Sequence, residues 1–157
     1  ENNLIFDCGY GLYLYEPFYT TTGTLALRGN NFLDNGTGLY IEYLSYFEGS
    51  TLVIEDNNFE GNTDYGLDND TTELIDATGN WWGDETGPFD DKTLPGIPDY
   101  NNPDGLGDEV SSYVDYDGWR TTAYIAGGDS SSGCAVGGFS PAMLLLVLPL
   151  MGLFRRK

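Results

Sequence analysis

The side chains of this chain that could do chemistry are carboxylates and phenols. Its 157 residues include 25 Asp or Glu, 12 Tyr and only six Lys or Arg, with no histidine. A sequence without histidine holds no Ser-His-Asp triad, no Cys-His pair and no His-ligated metal site. Carboxylates leave two kinds of chemistry: paired acids for glycoside hydrolysis, and oxygen-only ligation of Ca²⁺. Tyr13, Tyr15, Tyr40 and Tyr43 alternate with apolar residues, and Tyr10 precedes them. That alternation predicts an outward face on neighbouring strands, where phenol rings could serve as sugar-binding platforms.

The acids cluster along 84–108, and Asp84, Asp90, Asp91, Asp104 and Asp108 are the candidate calcium ligands. The segment is long, acidic and irregular, and such loops need a function or a staple. No EF-hand-like pattern completes a site, so a solvated acidic face is the favoured reading and calcium the alternative cofactor. No catalytic residue is assigned. Strong acidity also argues against nucleic acid, whose phosphates need a Lys/Arg surface.

The charge is unevenly placed. From Glu1 to Asp129 there are 25 acids against Arg28, Lys92 and Arg120, a balance of −22. The remaining bases are the last three residues, Arg155, Arg156 and Lys157. An acidic body thus precedes a short basic tip. The high aromatic content excludes simple disorder of the body.

The elements that would position these side chains follow from internal repetition. Asn30-Asn31-Phe32 recurs as Asn57-Asn58-Phe59, and Thr24-Leu25-Ala26-Leu27 as Thr51-Leu52-Val53-Ile54, both at an offset of 27. Asn35 matches Asn62, Asn2-Asn3-Leu4 is an earlier copy, and Gly79-Asn80-Trp81 a shorter later one. Within each copy, apolar residues two apart mark short strands separated by Asn/Asp/Gly turns. The expected fold is all-β: a solenoid of stacked coils over 1–125, with equivalent strands parallel and about 4.8 Å apart. Phe32, Phe59, Trp81 and Leu4 are expected as one interior column. Asn31, Asn58, Asn80 and Asn3 are expected to stack at a tight turn, side-chain amide to side-chain amide. Asp76 falls where Ile54 points inward, so either the register slips there or the acid is buried and paired.

Two segments carry a family resemblance. Ala77-Thr78-Gly79-Asn80-Trp81-Trp82-Gly83, running on to Gly87-Pro88, resembles the last coils of right-handed parallel β-helix proteins of the pectin-lyase-like group. Gly105-Leu106-Gly107-Asp108-Glu109-Val110, then Val114-Asp115-Tyr116 and Trp119, is similar to the closing strand that follows in that group. The resemblance covers 2–125 and implies a right-handed β-helix whose end is capped by Trp82 and Trp119. Sugar stacking on those two rings is the less favoured reading. It also raises polysaccharide lyase or glycosidase activity as an alternative, with catalytic coils upstream of Glu1, which starts inside a repeat. A fold does not by itself confer that activity. A lyase resembling pectate lyase needs a base beside a Ca²⁺-bound uronate, and only Arg28, Lys92 and Arg120 are available.

Beyond the body, 126–134 is a Gly/Ser-rich linker and 135–157 an apolar segment with a basic end. Ala135 to Phe154 would span about 30 Å as a helix, near the minimum for a bilayer core, with the basic tip on the inner side. Gly133-Cys134, the apolar run and Arg155-Arg156-Lys157 are similar to bacterial C-terminal sorting signals of the Synergist-CTERM and MYXO-CTERM kind. That resemblance implies cleavage near Gly133-Cys134 by a sorting protease, with a lipid on Cys134. An ordinary single-span anchor is the alternative. Cys8 and Cys134 belong to different units, so no disulfide is expected between them, and Cys8 is expected as a small packing residue. The expected protein is exported, non-catalytic in this segment and cell-surface, with an adhesion or envelope-scaffold role and the membrane as partner; binding or degradation of a surface polysaccharide is the alternative.

Overall fold

Asparagine, aspartate and glycine set the corners of this fold, because they tolerate left-handed backbone angles. A computed structural model describes residues 1–17, 23–44, 50–93, 101–125 and the strand 130–133. One corner column is left-handed at Asn2, Gly29, Asp56 and Gly79, with φ of 57°, 67°, 57° and 69°. A second corner repeats at Asp7, Asp34 and Gly61, with φ of 56°, 53° and 74°. Between corners run short strands: β1 (Asn3–Phe6), β2 (Tyr10–Tyr15), β3 (Thr24–Arg28), β4 (Asn31–Leu33), β5 (Thr37–Tyr43), β6 (Thr51–Glu55), β7 (Asn58–Glu60) and β8 (Tyr65–Asn69). The closing coils add β9 (Ile75–Asp76), β10 (Pro88–Phe89), β11 (Gly107–Glu109), β12 (Val114–Asp115) and β13 (Ser130–Gly133).

Every strand pair is parallel. The sheets run β13-β1-β4-β7, β2-β5-β8, β3-β6, β12-β9 and β10-β11. In the repeated coils the paired strands lie one coil apart, as in Leu25↔Leu52 and Leu27↔Ile54. β13 lies in the stretch read as a linker and pairs along the whole of β1. The expected helix over 135–157 lies outside the described residues.

The core is a column of stacked side chains. Phe32, Phe59 and Trp82 are fully buried, their rings near-parallel at 5.0 and 4.7 Å. The column therefore passes through Trp82 and not the expected Trp81, which is half-buried and bridges to Asn58. At the other end, Ile5 and not Leu4 is in register with Phe32. Leu39, Ile41, Ile54, Leu67, Ile75 and Val110 fill the space beside the rings. The rings reach the glycine strand starts closely: a Cβ on Gly38 would stand 2.6 Å from the Gly66 carbonyl oxygen and 3.1 Å from Phe59. No L side chain fits there without moving backbone.

The asparagine ladder is shifted likewise. Asn3 donates to Asn30 Oδ1 (2.9 Å), Asn30 to Asn57 Oδ1 (2.9 Å) and Asn57 to Asn80 Oδ1 (3.0 Å). Asn31 and Asn58 form a separate, outer pair at 2.6 Å, and Asn58 is tied to Tyr124 backbone. The left-handed residue is the one before each ladder asparagine, and the asparagine itself satisfies buried backbone groups. Asp76 is exposed and Ile75 buried, so the register has slipped and the acid caps Thr78 N–H. Cys8 is disulfide-bonded, against the expectation of an unpaired packing residue. The sequence's other cysteine, Cys134, lies outside the described residues.

Candidate functional site

On β2 and β5 the inward positions are taken by Leu12, Leu14, Leu39 and Ile41, which leaves Tyr13, Tyr15, Tyr40 and Tyr43 on the outer face. Tyr13 pairs in register with Tyr40, and Tyr40 with Asp68 on β8. The Tyr13 and Tyr40 rings stack at 5.2 Å with 12° between planes. Tyr10 tilts against both, 6.0 Å from Tyr13 and 5.1 Å from Tyr40. Tyr15 and Tyr43 form a second pair at 5.7 Å. A bulge between Leu14 and Tyr15 sets this second pair apart from the first. Tyr10, Tyr13, Tyr15 and Tyr43 each expose about half of their surface (46–56%). The structure thus brings all four expected tyrosines, and Tyr10, onto one face. Among the described residues β2 is the outer strand of its sheet, and Tyr13 is about half exposed.

A groove of about 430 Å³ adjoins this face, lined by Tyr10, Thr37, Thr63, Asp64, Tyr65, Asp68 and Glu109. Glu109 binds the Lys92 ammonium at 2.7 Å, and that ammonium also lies 5.6 Å over the Tyr65 ring. Burial raises Asp68 above the ordinary carboxylate range, opposed by a hydrogen bond from Ser111. Burial and the carboxylates of Asp70 and Asp68 raise Tyr40, whose hydroxyl donates to Asp70. The Tyr40 phenol is therefore held protonated, with its one hydrogen committed to Asp70. Tyr65, Asp64 and Glu109 carried no signal of this role in the sequence. Their approach to Tyr10 depends on how the third and fourth coils stack.

The candidate calcium ligands do not converge. Asp84 caps a turn through Thr86, whose hydrogen bonds hold it below its ordinary value. Asp90 is buried and accepts from Tyr116 Oη (3.1 Å) and Lys92 N–H (3.0 Å). Asp91 and Asp104 are exposed. Asp108 accepts from Gly61 N, Asn62 N and Asn62 Nδ2, where it stands in line with the ladder pair Asn35–Asn62. Among the described residues no three His, Cys, Asp or Glu side chains could hold a metal ion.

Trp82 is fully buried, which removes it as a sugar platform. Trp119 is half-buried over Gly87, where any Cβ would stand 2.5 Å from its ring, and its indole N–H donates to Glu85 O. Trp82 belongs to the buried cluster and Trp119 packs against it. The three bases of the body are all engaged: Arg28 with Glu55 (2.8 Å), Arg120 with Asp56 (2.7 Å) and Lys92 with Glu109. Gly133 is the last residue of β13, and Cys134 lies outside the described residues. Among the described residues no helix is long and apolar enough to cross a membrane.

A family model described as "Right handed beta helix region" matches residues 1–81, just over half of the chain. No curated protein matches, and no solved structure matches.

Proposed function

The chain belongs to the right-handed β-helix family, and from that premise we propose that it is a non-catalytic, exported surface protein whose tyrosine-bearing sheet binds polysaccharide. The observation that carries this reading is the five-tyrosine face on β2 and β5, with two ring pairs following the coil axis. Exposed rings at coil spacing give an extended chain of sugars a repeated apolar contact, and their hydroxyls supply hydrogen-bond partners. The ion pairing of Arg28, Lys92 and Arg120 speaks for binding without lyase chemistry, since it leaves no unpaired base in the body. Export and attachment rest on the apolar run 135–154 and its basic end.

Binding is tested on a glycan array with the full chain, then by titration of Tyr13→Ala and Tyr15→Ala. Each substitution is expected to weaken binding by about tenfold. An array without signal, or unchanged affinity in both variants, would sink the proposal. Attachment is tested by intact mass of the cell-surface protein under non-reducing conditions. A Cys8–Cys134 disulfide and a lipid on Cys134 are mutually exclusive, and their masses differ. Loss of all residues after Cys134 supports sorting, and their retention supports a single-span anchor. Recovery of the protein only from the cytoplasm would end both.

A further inference from the structure

The tyrosine face and its groove differ in charge from a generic sugar platform. Asp64, Asp68 and Glu109 line the groove beside Tyr10 and Tyr65, and Asp70 holds the Tyr40 hydroxyl. Lys92 compensates Glu109, while Asp64 and Asp68 have no ion pair among the described residues. Lys92 also shows what this surface accommodates: an ammonium between a carboxylate and the face of a tyrosine. From Glu1 to Asp129 the chain carries 25 acids against three bases. A polyuronate would meet repulsion from every side, whereas a protonated amine would find carboxylate and ring together.

Resting on the polysaccharide-binding reading, we infer that the ligand is an amine-bearing glycan, a polymer of hexosamine with free amino groups. Its sugar rings lie along Tyr13, Tyr40 and Tyr10, and one ammonium enters the groove between Asp64 and Asp68. A hydroxyl of a neighbouring sugar meets Thr63 at the exposed rim. Neutral polymers of the same backbone share the ring contacts and lack the charge contact.

The test uses four probes on the full chain in mildly acidic buffer: a glucosamine hexamer, its fully N-acetylated counterpart, a galacturonate hexamer and hexalysine. The glucosamine hexamer is expected to bind about tenfold tighter than the acetylated one, and to lose that advantage in high salt. Asp64→Asn with Asp68→Asn should remove the preference and leave the acetylated hexamer unchanged. Tyr13→Ala with Tyr40→Ala should weaken both, and thermal unfolding of each variant checks that it is folded. Equal binding of both hexamers, or tighter binding of the galacturonate, overturns the amine assignment and leaves the polysaccharide reading standing. Hexalysine binding as tightly as glucosamine also overturns it, because charge alone would then suffice. No binding by any saccharide overturns both.

Discussion

Asp108 occupies the place where the ladder through Asn35 and Asn62 would call for another asparagine. Its carboxylate accepts three N–H bonds, from Gly61, Asn62 backbone and Asn62 side chain. Burial nevertheless pushes it up to about 6 from an ordinary 3.8. A folded value above the unfolded one means that the native state favours the protonated acid. The stabilising contribution is complete below the unfolded value and is lost as pH rises through the folded one. Urea unfolding at pH 4 and pH 7 is expected to show the native protein losing roughly 2 kcal/mol more than Asp108→Asn over that interval. Asp68 and Asp90 are also raised by burial, but they are common to both proteins and cancel in the comparison. Equal losses would remove Asp108 as a source of pH dependence. Asp108 was legible in the sequence only as an acid in an acidic loop. Its ladder role has no local signature, because its donors lie more than 40 residues away.

At the scale of the elements, the question is which of two adjacent residues faces inward. Asn30-Asn31 and Trp81-Trp82 are doubled, so the repeat can be aligned in either of two ways. A strand alternates its faces, and a slip of one residue exchanges inside for outside. The 27-residue offset was legible, whereas the choice within each doublet was made by close packing. Phe59 is sandwiched between Phe32 and Trp82, while Trp81 makes a surface bond to Glu60. Phe59→Ala is therefore expected to cost about 4 kcal/mol, and Trp81→Ala about 1 kcal/mol. The ladder offers a second comparison. Asn57 is fully buried, accepts from Asn30, and donates to Leu27 O, Glu55 O and Asn80 Oδ1. Its replacement by alanine strands buried backbone groups and should cost about 3 kcal/mol, against under about 1 kcal/mol for Asn31→Ala. Chemical denaturation measures all four, and a reversed order within either pair would contradict the register.

For the molecule as a whole, the dominant property is like charge wrapped round a narrow column. The body's three bases pair with Glu55, Asp56 and Glu109, and most of the other carboxylates have no ion pair among the described residues. Self-repulsion of this kind opposes the compact state and is screened by salt. The melting temperature is expected to rise by roughly 5 °C between low salt and half-molar salt. A flat or falling melting temperature, read by circular dichroism, would show that the repulsion is not felt. The sequence by itself determined the coil length, the all-β class and the exclusion of histidine chemistry. These depend on periodicity and residue type, which are local properties. Only the tertiary structure decided that Trp82 completes the column, that Asn30 and Asn57 form the ladder, and that Tyr10 meets Asp64, Tyr65, Asp68 and Glu109 at one groove. The reason is that neighbours in a solenoid are set by the summed lengths of intervening coils. The last ladder step, Asn57 to Asn80, spans 23 residues where the others span 27. One short coil is enough to change which side chains stand side by side.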